Sequence, residues 1–244
     1  MTENISQSNN PSEVKEMNML SRIIGVFTSP GATFQSIARK PKWIVPGIII
    51  ILIGLGTTFL LRDVILQEQR VKTEEQLIKR GVDSSQMESI LEKNQQITKI
   101  AMYPAVLITM AVMFVIVAAI WLFVANVVLG GQATFNQMLG VSVYRGFIPA
   151  VGGLIKAPLM ISQNTVNIHF SLATFMPEEA VDTFLYKFLA QIELFNVWSI
   201  IVLCIGIAVV SKLNVKKVWP WVAIIYLLWF VGSAAVPILM QRFF

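Results

Sequence analysis

The stretch AMYPAVLITMAVMFVIVAAIWLFVANVVLGGQATFNQMLGVSVY, residues 101–144, contains no Asp, Glu, Lys or Arg. A hydrocarbon layer about 30 Å thick needs roughly 20 apolar helical residues to cross it. The stretch is therefore long enough for one complete span and the beginning of another. It predicts a chain that crosses the membrane more than once.

The composition of the whole chain also indicates a lipid environment. Of its 244 residues, 55% are hydrophobic and only 14% are charged, and the mean hydropathy is +0.68. Such a chain is too apolar to cover itself with polar surface as a soluble domain does. The net charge of +5 comes from Lys and Arg residues scattered over flanks and loops, which indicates basic membrane flanks and argues against a nucleic-acid partner.

The predicted fold class is all-α: a polytopic membrane helical bundle with five transmembrane helices in a single domain, residues 20–244. The predicted spans cover about residues 43–61, 104–129, 136–161, 193–210 and 218–240. Residues 1–19 are polar and lack the apolar core of a secretory signal, so we expect a retained, disordered tail. An odd number of spans places the two termini on opposite sides of the membrane.

The basic residues of the short loops set the expected orientation. Arg22, Arg39, Lys40 and Lys42 precede the first span, and Lys212, Lys216 and Lys217 lie between the fourth and fifth spans. Short cytoplasmic loops carry an excess of Lys and Arg, so the N-terminus is predicted to be cytoplasmic and the C-terminus extracytoplasmic. The loop 62–99 carries seven basic residues against this orientation, but it also carries seven acidic ones.

Two amphipathic segments precede the first span. One helical face is predicted by apolar residues at positions i, i+3, i+4 and i+7: Leu20, Ile23, Ile24 and Phe27. Ser29 and Pro30 have the order of an N-cap and a first helical position, and they predict a second short helix with Phe34 and Ile37 on its apolar side. These helices either lie in the headgroup region or pack against the bundle.

The loop 62–99 is polar but has the pattern of two helices. Acidic residues stand four positions before basic ones in two pairs, Glu68 with Lys72 and Glu75 with Lys79. Gly81 is expected to end the first helix, and Asp83 with Gln86 resembles a capping box that begins the second. We predict an extramembrane helical hairpin between spans one and two, which is either an arm that docks a partner or a solvated connection.

The connection between the third and fourth spans begins with the alternation of a strand. Apolar residues alternate there with polar or small ones: Val166, Ile168, Phe170 and Leu172. The sequence offers no strand partner, so we expect an extended segment at the interface. A helix is expected to begin at Pro177 and to continue through Leu189.

Polar groups within a span are costly and are therefore candidates for function. The candidates are Arg145 and Lys156 in span three, Glu193 and Asn196 at the start of span four, and Asn126 in span two. Span three is expected to be interrupted by Pro149, Gly152, Gly153 and Pro158. A broken helix needs cover from protein or water, so this span is predicted to lie inside the bundle or along a cavity.

Two interpretations of these polar residues stay open. Arg145 and Lys156 are three helical turns apart and share one face, and Glu193 and Asn196 are their natural partners. A transporter uses such a charged, interrupted helix as a substrate or proton site, whereas a structural ion pair gives the same pattern. Asn126 is expected to form a hydrogen bond between helices.

The sequence contains no catalytic or metal-binding pattern. His169 and Cys204 are single residues of their types, so no cluster has metal-ligand spacing. No P-loop, G-x-S-x-G or H-E-x-x-H pattern occurs. We predict no catalytic, cofactor-binding or metal-binding residues, no cofactor and no enzymatic activity.

Two segments resemble bacterial YIP1-family membrane proteins. FTSPGATFQSIARKPKWIVP, residues 27–46, is similar to the segment that leads into that family's first span, and IELFNVWSIIVLCIGIAVVSKLNVKKVW, residues 192–219, is similar to its fourth span and following basic turn. The resemblance implies a five-span domain in the cell membrane, here the bacterial inner membrane, with no known catalytic residues. The DLYGP-type motif of eukaryotic relatives is missing, so a role in vesicle trafficking is not implied.

Some bacterial members of that family accompany ABC-type export systems. The resemblance therefore implies an accessory subunit of another membrane system such as an ABC-type exporter. The charged hairpin and the lack of catalytic patterns predict a non-enzymatic protein that scaffolds or modulates such a system. The expected partners are the lipid bilayer and a membrane protein, and not nucleic acid. The alternative is a small transporter or channel component that uses the polar residues of spans three and four.

Overall fold

The computed structural model describes residues 17–168 and 170–243, and within them the fold is all-α, as the sequence predicts. The ten α-helices are α1 Met19–Thr28, α2 Pro30–Arg39, α3 Ile44–Leu60, α4 Arg62–Lys79, α5 Ser84–Phe123, α6 Phe135–Arg145, α7 Phe147–Gln163, α8 Phe184–Gln191, α9 Leu194–Val210 and α10 Val215–Phe243. α5 continues into a π-helical turn, Val124–Val128, and short 3₁₀ turns cover Leu172–Phe175 and Glu178–Ala180. Most of the predicted tail, residues 1–16, lies outside the described residues.

Several helices have the length and composition of membrane spans. Three described segments are each long and apolar enough to cross a membrane: Ser84–Val128, Phe135–Gln163 and Val215–Leu239. The pair α3 and α4, bent by 66°, gives a fourth if it is counted as one span, and α9 is apolar but has only 17 residues. The chain is therefore a multi-span membrane bundle, and the number five stays a prediction.

The broken helix α6 and α7 lies at the centre of the bundle. Of the 18 most apolar consecutive residues of this span, 56% are buried, compared with 11% for the α5 span and 17% for α10. α6 ends at Arg145, and Pro149, which has no N–H, leaves the carbonyl of Arg145 without its usual helical donor. The break after Arg145 and the cover over α6 agree with the prediction, whereas Leu154, Ile155 and Ile161 of α7 are exposed.

The interruption is narrower than the sequence predicts. α7 runs without a break from Phe147 to Gln163, so Gly152, Gly153 and Pro158 all lie inside it. A membrane helix tolerates an internal proline because neighbouring helices and small local adjustments satisfy the freed backbone groups. The expectation that Gly152, Gly153 and Pro158 interrupt the span is wrong.

α2 packs inside the bundle, which decides between the two interpretations of the N-terminal helices. Phe34 and Ile37 have no exposed surface. A Cβ on Gly206 would lie 3.0 Å from the Phe34 ring, and one on Gly140 would lie 2.6 Å from Ile37 Cγ2, so these two glycines let α2 approach α9 and α6 closely. On α1, by contrast, Leu20 is exposed, as is Ile24. Of these two N-terminal helices, α1 is the one that leaves large apolar side chains exposed.

The predicted helical hairpin between α3 and the α5 span is present. Leu66, Leu77 and Leu91 are buried between its two helices, and Arg70 donates to both carboxylate oxygens of Glu88 at 2.9 and 3.0 Å. Gly81 adopts the left-handed conformation at the turn, with φ +69°. The capping box differs from the prediction, because the Asp83 carboxylate accepts from the Ser85 amide and not from Gln86.

The connection after α7 differs from the sequence prediction in two places. Ser171 forms an isolated antiparallel bridge with Glu193, supported by the Leu194 amide donating to the Phe170 carbonyl, so the extended segment does have a partner. The following helix, α8, begins at Phe184 after the N-cap Thr183, and not at Pro177. The Thr183 hydroxyl caps α8 by accepting from the Tyr186 amide.

Candidate functional site

Lys156 and Glu193 form an ion pair between the middle of α7 and the first residue before α9. Lys156 Nζ lies 2.5 Å from Glu193 Oε1, and the two side chains are only 14% and 17% exposed. Glu193 is held in place because it is the N-cap residue of α9 and its backbone bridges Ser171. The sequence named Glu193 as a partner for Lys156, and the structure brings them together.

Arg145 has partners that the sequence did not indicate. Its Nη1 donates to Ser199 Oγ and to Tyr226 OH, both at 3.0 Å, and so joins α6 to α9 and α10. Both acceptors are neutral hydroxyls, and Arg145 Nε is buried without a hydrogen-bond partner among the described residues. The sequence left open whether Glu193 and Asn196 are partners of Lys156 or of Arg145, and the structure pairs Glu193 with Lys156.

The two candidate asparagines bind backbone groups. Asn126, in the π-helical turn after α5, donates to the Ala133 carbonyl at 2.7 Å and accepts from the Ala133 amide at 2.9 Å. It therefore closes the loop before α6 and does not link two helices as predicted. Asn196 donates to the Gln191 carbonyl at 2.9 Å, which satisfies the carboxyl end of α8.

Two cavities adjoin the charged residues of the broken helix. One of about 860 Å³ is lined by Glu193, Gln163, Phe170 and Tyr186, near the end of α7. The other, of about 420 Å³, lies between α3, α5 and α7 and includes Arg145 in its wall. Both volumes fall in the range of about 300–1,000 Å³ that is usual for small-molecule sites.

Arg22 is a buried cation that sequence reasoning treated as a basic flank. It is only 4% exposed and donates to the carbonyls of Lys40 at 2.8 Å and Ser36 at 3.3 Å, at the carboxyl end of α2. Gln137 donates to the nearby Ala38 carbonyl at 2.7 Å. A cation at this end of a helix satisfies its free carbonyls and its dipole. The spacing Arg22 to Ser36 gives no periodic signal that could have revealed this contact.

Glu68 attaches the hairpin to the connection after α7. Its carboxylate accepts from the Val166 amide at 3.0 Å, from Asn167 Nδ2 at 3.1 Å and from Lys72 Nζ. Burial raises the pKa of Glu68, but the hydrogen bonds and the charge of Lys72 outweigh it and leave the pKa below its usual 4.5. Glu68 therefore links α4 of the hairpin to the connection after α7.

Metal-binding groups do not cluster in the part of the chain that the structure describes. No group of three or more His, Cys, Asp or Glu side chains there has the arrangement of a metal site. His169 lies outside the described residues, and Cys204 is a free, buried thiol. The polar side chains described above form ion pairs and hydrogen bonds between segments of the bundle.

Comparison with known proteins assigns the chain to a family. The family model of the Yip1 domain matches residues 24–237, which is most of the chain. The protein belongs to the Yip1 domain family. This Yip1 domain protein is 28% identical over 208 residues to Membrane protein YknW of Bacillus subtilis (strain 168), and the match covers 81% of each chain. No solved structure matches it.

The Yip1 assignment confirms the resemblance seen in the sequence. The matched region begins in α1 and ends in α10, so it includes the broken helix, the ion pair and the hairpin. The similar Bacillus protein is itself described as a membrane protein. The Yip1 domain of this chain is therefore a helical membrane domain.

Proposed function

We propose that this Yip1 domain protein is a non-enzymatic scaffold, or an accessory or modulatory subunit, of another membrane system such as an ABC-type exporter. The observation that carries the proposal is the α4–α5 hairpin, which is fixed to the bundle and turns apolar side chains outward. Val71 is 48% exposed and Ile78 is 61% exposed. They stand two helical turns apart and so share one side of α4.

The outward apolar side is distinct from the hairpin's own packing seam. Leu77, beside Ile78, is buried against α5, so the hairpin does not need Val71 or Ile78 for its internal contacts. Arg70 pairs with Glu88 between the two helices of the hairpin, and Glu68 attaches α4 to the connection after α7. A rigid arm loses little conformational entropy on docking, which suits a subunit that positions a partner.

The proposed topology places this arm outside the cytoplasm. With spans at α3, α5, α6–α7, α9 and α10 and a cytoplasmic N-terminus, the hairpin and the connection 164–193 lie on the extracytoplasmic side. The turn between α9 and α10, with Lys212, Lys216 and Lys217, then lies in the cytoplasm. A partner that docks on the hairpin would present an extracytoplasmic surface there.

A small transporter or channel component is the second candidate function. It is favoured by one observation, the 860 Å³ cavity with Glu193 in its wall beside the Lys156 ammonium. A substrate ion that enters this cavity would compete for one member of the ion pair. Unchanged flux in vesicles carrying Glu193→Gln would contradict this candidate.

Affinity purification tests the accessory role. The C-terminally tagged protein is isolated from native membranes in mild detergent, and bound proteins are identified and quantified by mass spectrometry. A stoichiometric partner is expected with the wild type and is expected to be lost with Val71→Asp/Ile78→Asp. The matched control is Gln69→Asp/Gln76→Asp, which adds the same charges at two other exposed positions of α4 with the same spacing. Equal recovery with both double variants would contradict docking through the apolar side.

A further inference from the structure

The crevice beside Arg145 is an apolar cavity with one cation in its wall. It has a volume of about 420 Å³ and lies between α3, α5 and α7. Its apolar walls include Ile53, Val106, Met110, Phe114 and Val117. Among the described residues that line it, Arg145 is the single charged one. Apolar walls with one fixed charge suit a ligand that is itself apolar with one charged end.

The charge of Arg145 is not compensated within the described chain. Its hydrogen-bond acceptors, Ser199 and Tyr226, are neutral hydroxyls. Glu193, the carboxylate expected from the sequence as a possible partner, is paired with Lys156. A guanidinium within the membrane is costly unless an anion or strong acceptors accompany it, so this position favours an anionic group.

The shape of the crevice restricts what could supply that anion. Along α3 it extends from Ile50 to Leu61, which is about 16 Å at 1.5 Å per residue. It reaches Ile65 at the corner between α3 and α4. The length of the crevice suits a single extended alkyl chain that lies along α3.

We propose that the crevice binds a single-chain anionic amphiphile, with the acyl chain between α3 and α5 and the anionic head at Arg145. The shared chemistry is one alkyl chain that ends in a carboxylate or a phosphate. Free fatty acids and lysophospholipids are two sources of it. This site does not rest on the accessory role, because the outward residues of the hairpin do not line the crevice.

Photolabelling of the full chain tests the site. The protein is reconstituted in phosphatidylcholine nanodiscs and labelled with a fatty acid that carries a diazirine on its chain, and the labelled peptides are mapped by mass spectrometry. Label is expected on the crevice walls of α3 and α5. Competition by unlabelled palmitate is expected, and the methyl ester of palmitate is expected to compete at least tenfold less well, since hydrogen bonds to a charged group contribute about 1.5–3 kcal/mol.

A pair of glycine variants separates crevice binding from ordinary lipid contact. Gly153 lines the crevice and Gly56 does not, and a Cβ at either position meets nothing within 4 Å. Gly153→Leu fills the crevice and is expected to reduce the labelling about tenfold, whereas Gly56→Leu is expected to label like the wild type. Equal labelling of the two variants would overturn the proposal.

Variants of Arg145 test the role of the charge. Arg145→Gln is expected to remove the preference for the acid over its methyl ester, and Arg145→Lys is expected to restore part of it. If Arg145→Gln does not fold, the comparison of Gly153→Leu with Gly56→Leu still decides. Label spread evenly over all lipid-facing helices, or equal competition by acid and ester in the wild type, would overturn the site. Lysophosphatidic acid that competes better than palmitate would support a phospholipid source, and the reverse order would support a free fatty acid.

Discussion

Lys156 Nζ and Glu193 Oε1 lie 2.5 Å apart, and this contact joins α7 to the N-cap residue of α9. Both side chains are largely shielded, so each charge depends on the other for compensation. Glu193 also bridges Ser171 through its backbone. The ion pair therefore ties α7, α9 and the preceding connection together at one point.

A double-mutant cycle is expected to show strong coupling between these two residues. Lys156→Met and Glu193→Gln should each lower the free energy of unfolding by about 1–3 kcal/mol, because each leaves one poorly solvated charge unpaired. The double variant is expected to recover most of that loss. The measurement is unfolding in mixed micelles with Lys187→Met as a control, since Lys187 pairs with the exposed Asp182. Losses that simply add would contradict the pairing.

Removal of the Glu68 carboxylate is expected to release the connection after α7 from the hairpin. Glu68→Ala leaves the Val166 amide and the Asn167 side chain without their acceptor. Hydrogen exchange of peptides covering residues 164–168 should become about tenfold faster, which corresponds to about 1.4 kcal/mol of lost protection. Glu74→Ala, an exposed change on the same helix, is the control. Unchanged exchange at 164–168 would mean that the attachment does not hold this segment.

The same attachment is expected to depend on pH in one direction. The pKa of Glu68 is lower in the folded protein than its usual 4.5, so its stabilising contribution is fully present above 4.5 and is lost as the pH falls through the folded pKa. Hydrogen exchange at 164–168, corrected for intrinsic rates, should therefore accelerate only in that acidic range. Glu68→Gln cannot titrate and should show no such step. A step of equal size in that variant would assign the effect to another group.

Packing of α2 against α9 is expected to depend on Gly206. A Cβ there would lie 2.7 Å from Val141 Cγ1 and 3.0 Å from the Phe34 ring. Gly206→Ala should lower the free energy of unfolding by about 1–3 kcal/mol, since a tightly packed core must shift to admit a methyl group. Gly232→Ala, where a Cβ meets nothing within 4 Å, is the matched control and should be neutral or slightly stabilising. A similar loss in both variants would indicate a general effect of replacing membrane glycines.

The proposed topology predicts opposite accessibility of the hairpin and the last turn. In a Cys204→Ala background, Glu75→Cys should react with a membrane-impermeant maleimide in intact cells. Lys216→Cys should react only after the membrane is permeabilised, because the proposed topology, five spans with a cytoplasmic N-terminus, places the turn 211–217 in the cytoplasm. Reaction of both cysteines in intact cells would require a different number of spans.

The sequence by itself determined the class of the protein and much of its local structure. The charge-free stretch 101–144 specified membrane helices, because the length and polarity of a span are properties of consecutive residues. Gly81 specified the hairpin turn, and Pro149 specified the break after Arg145, because each residue limits its own backbone. Glu193, the acidic residue at the mouth of the adjoining span, was predicted to pair with Lys156 or Arg145, and the structure selected Lys156.

Only the tertiary structure decided how the remaining polar groups are used. Arg145 donates to residues 54 and 81 positions away, and their hydroxyls were not distinguishable in the sequence from any other Ser or Tyr. Arg22 was read as a basic flank, but the close approach of α2 to its neighbours buries it at a helix end. Such contacts depend on which helix faces pack together. That packing is determined by the shapes of residues far apart in the sequence, and not by the local pattern of residue types.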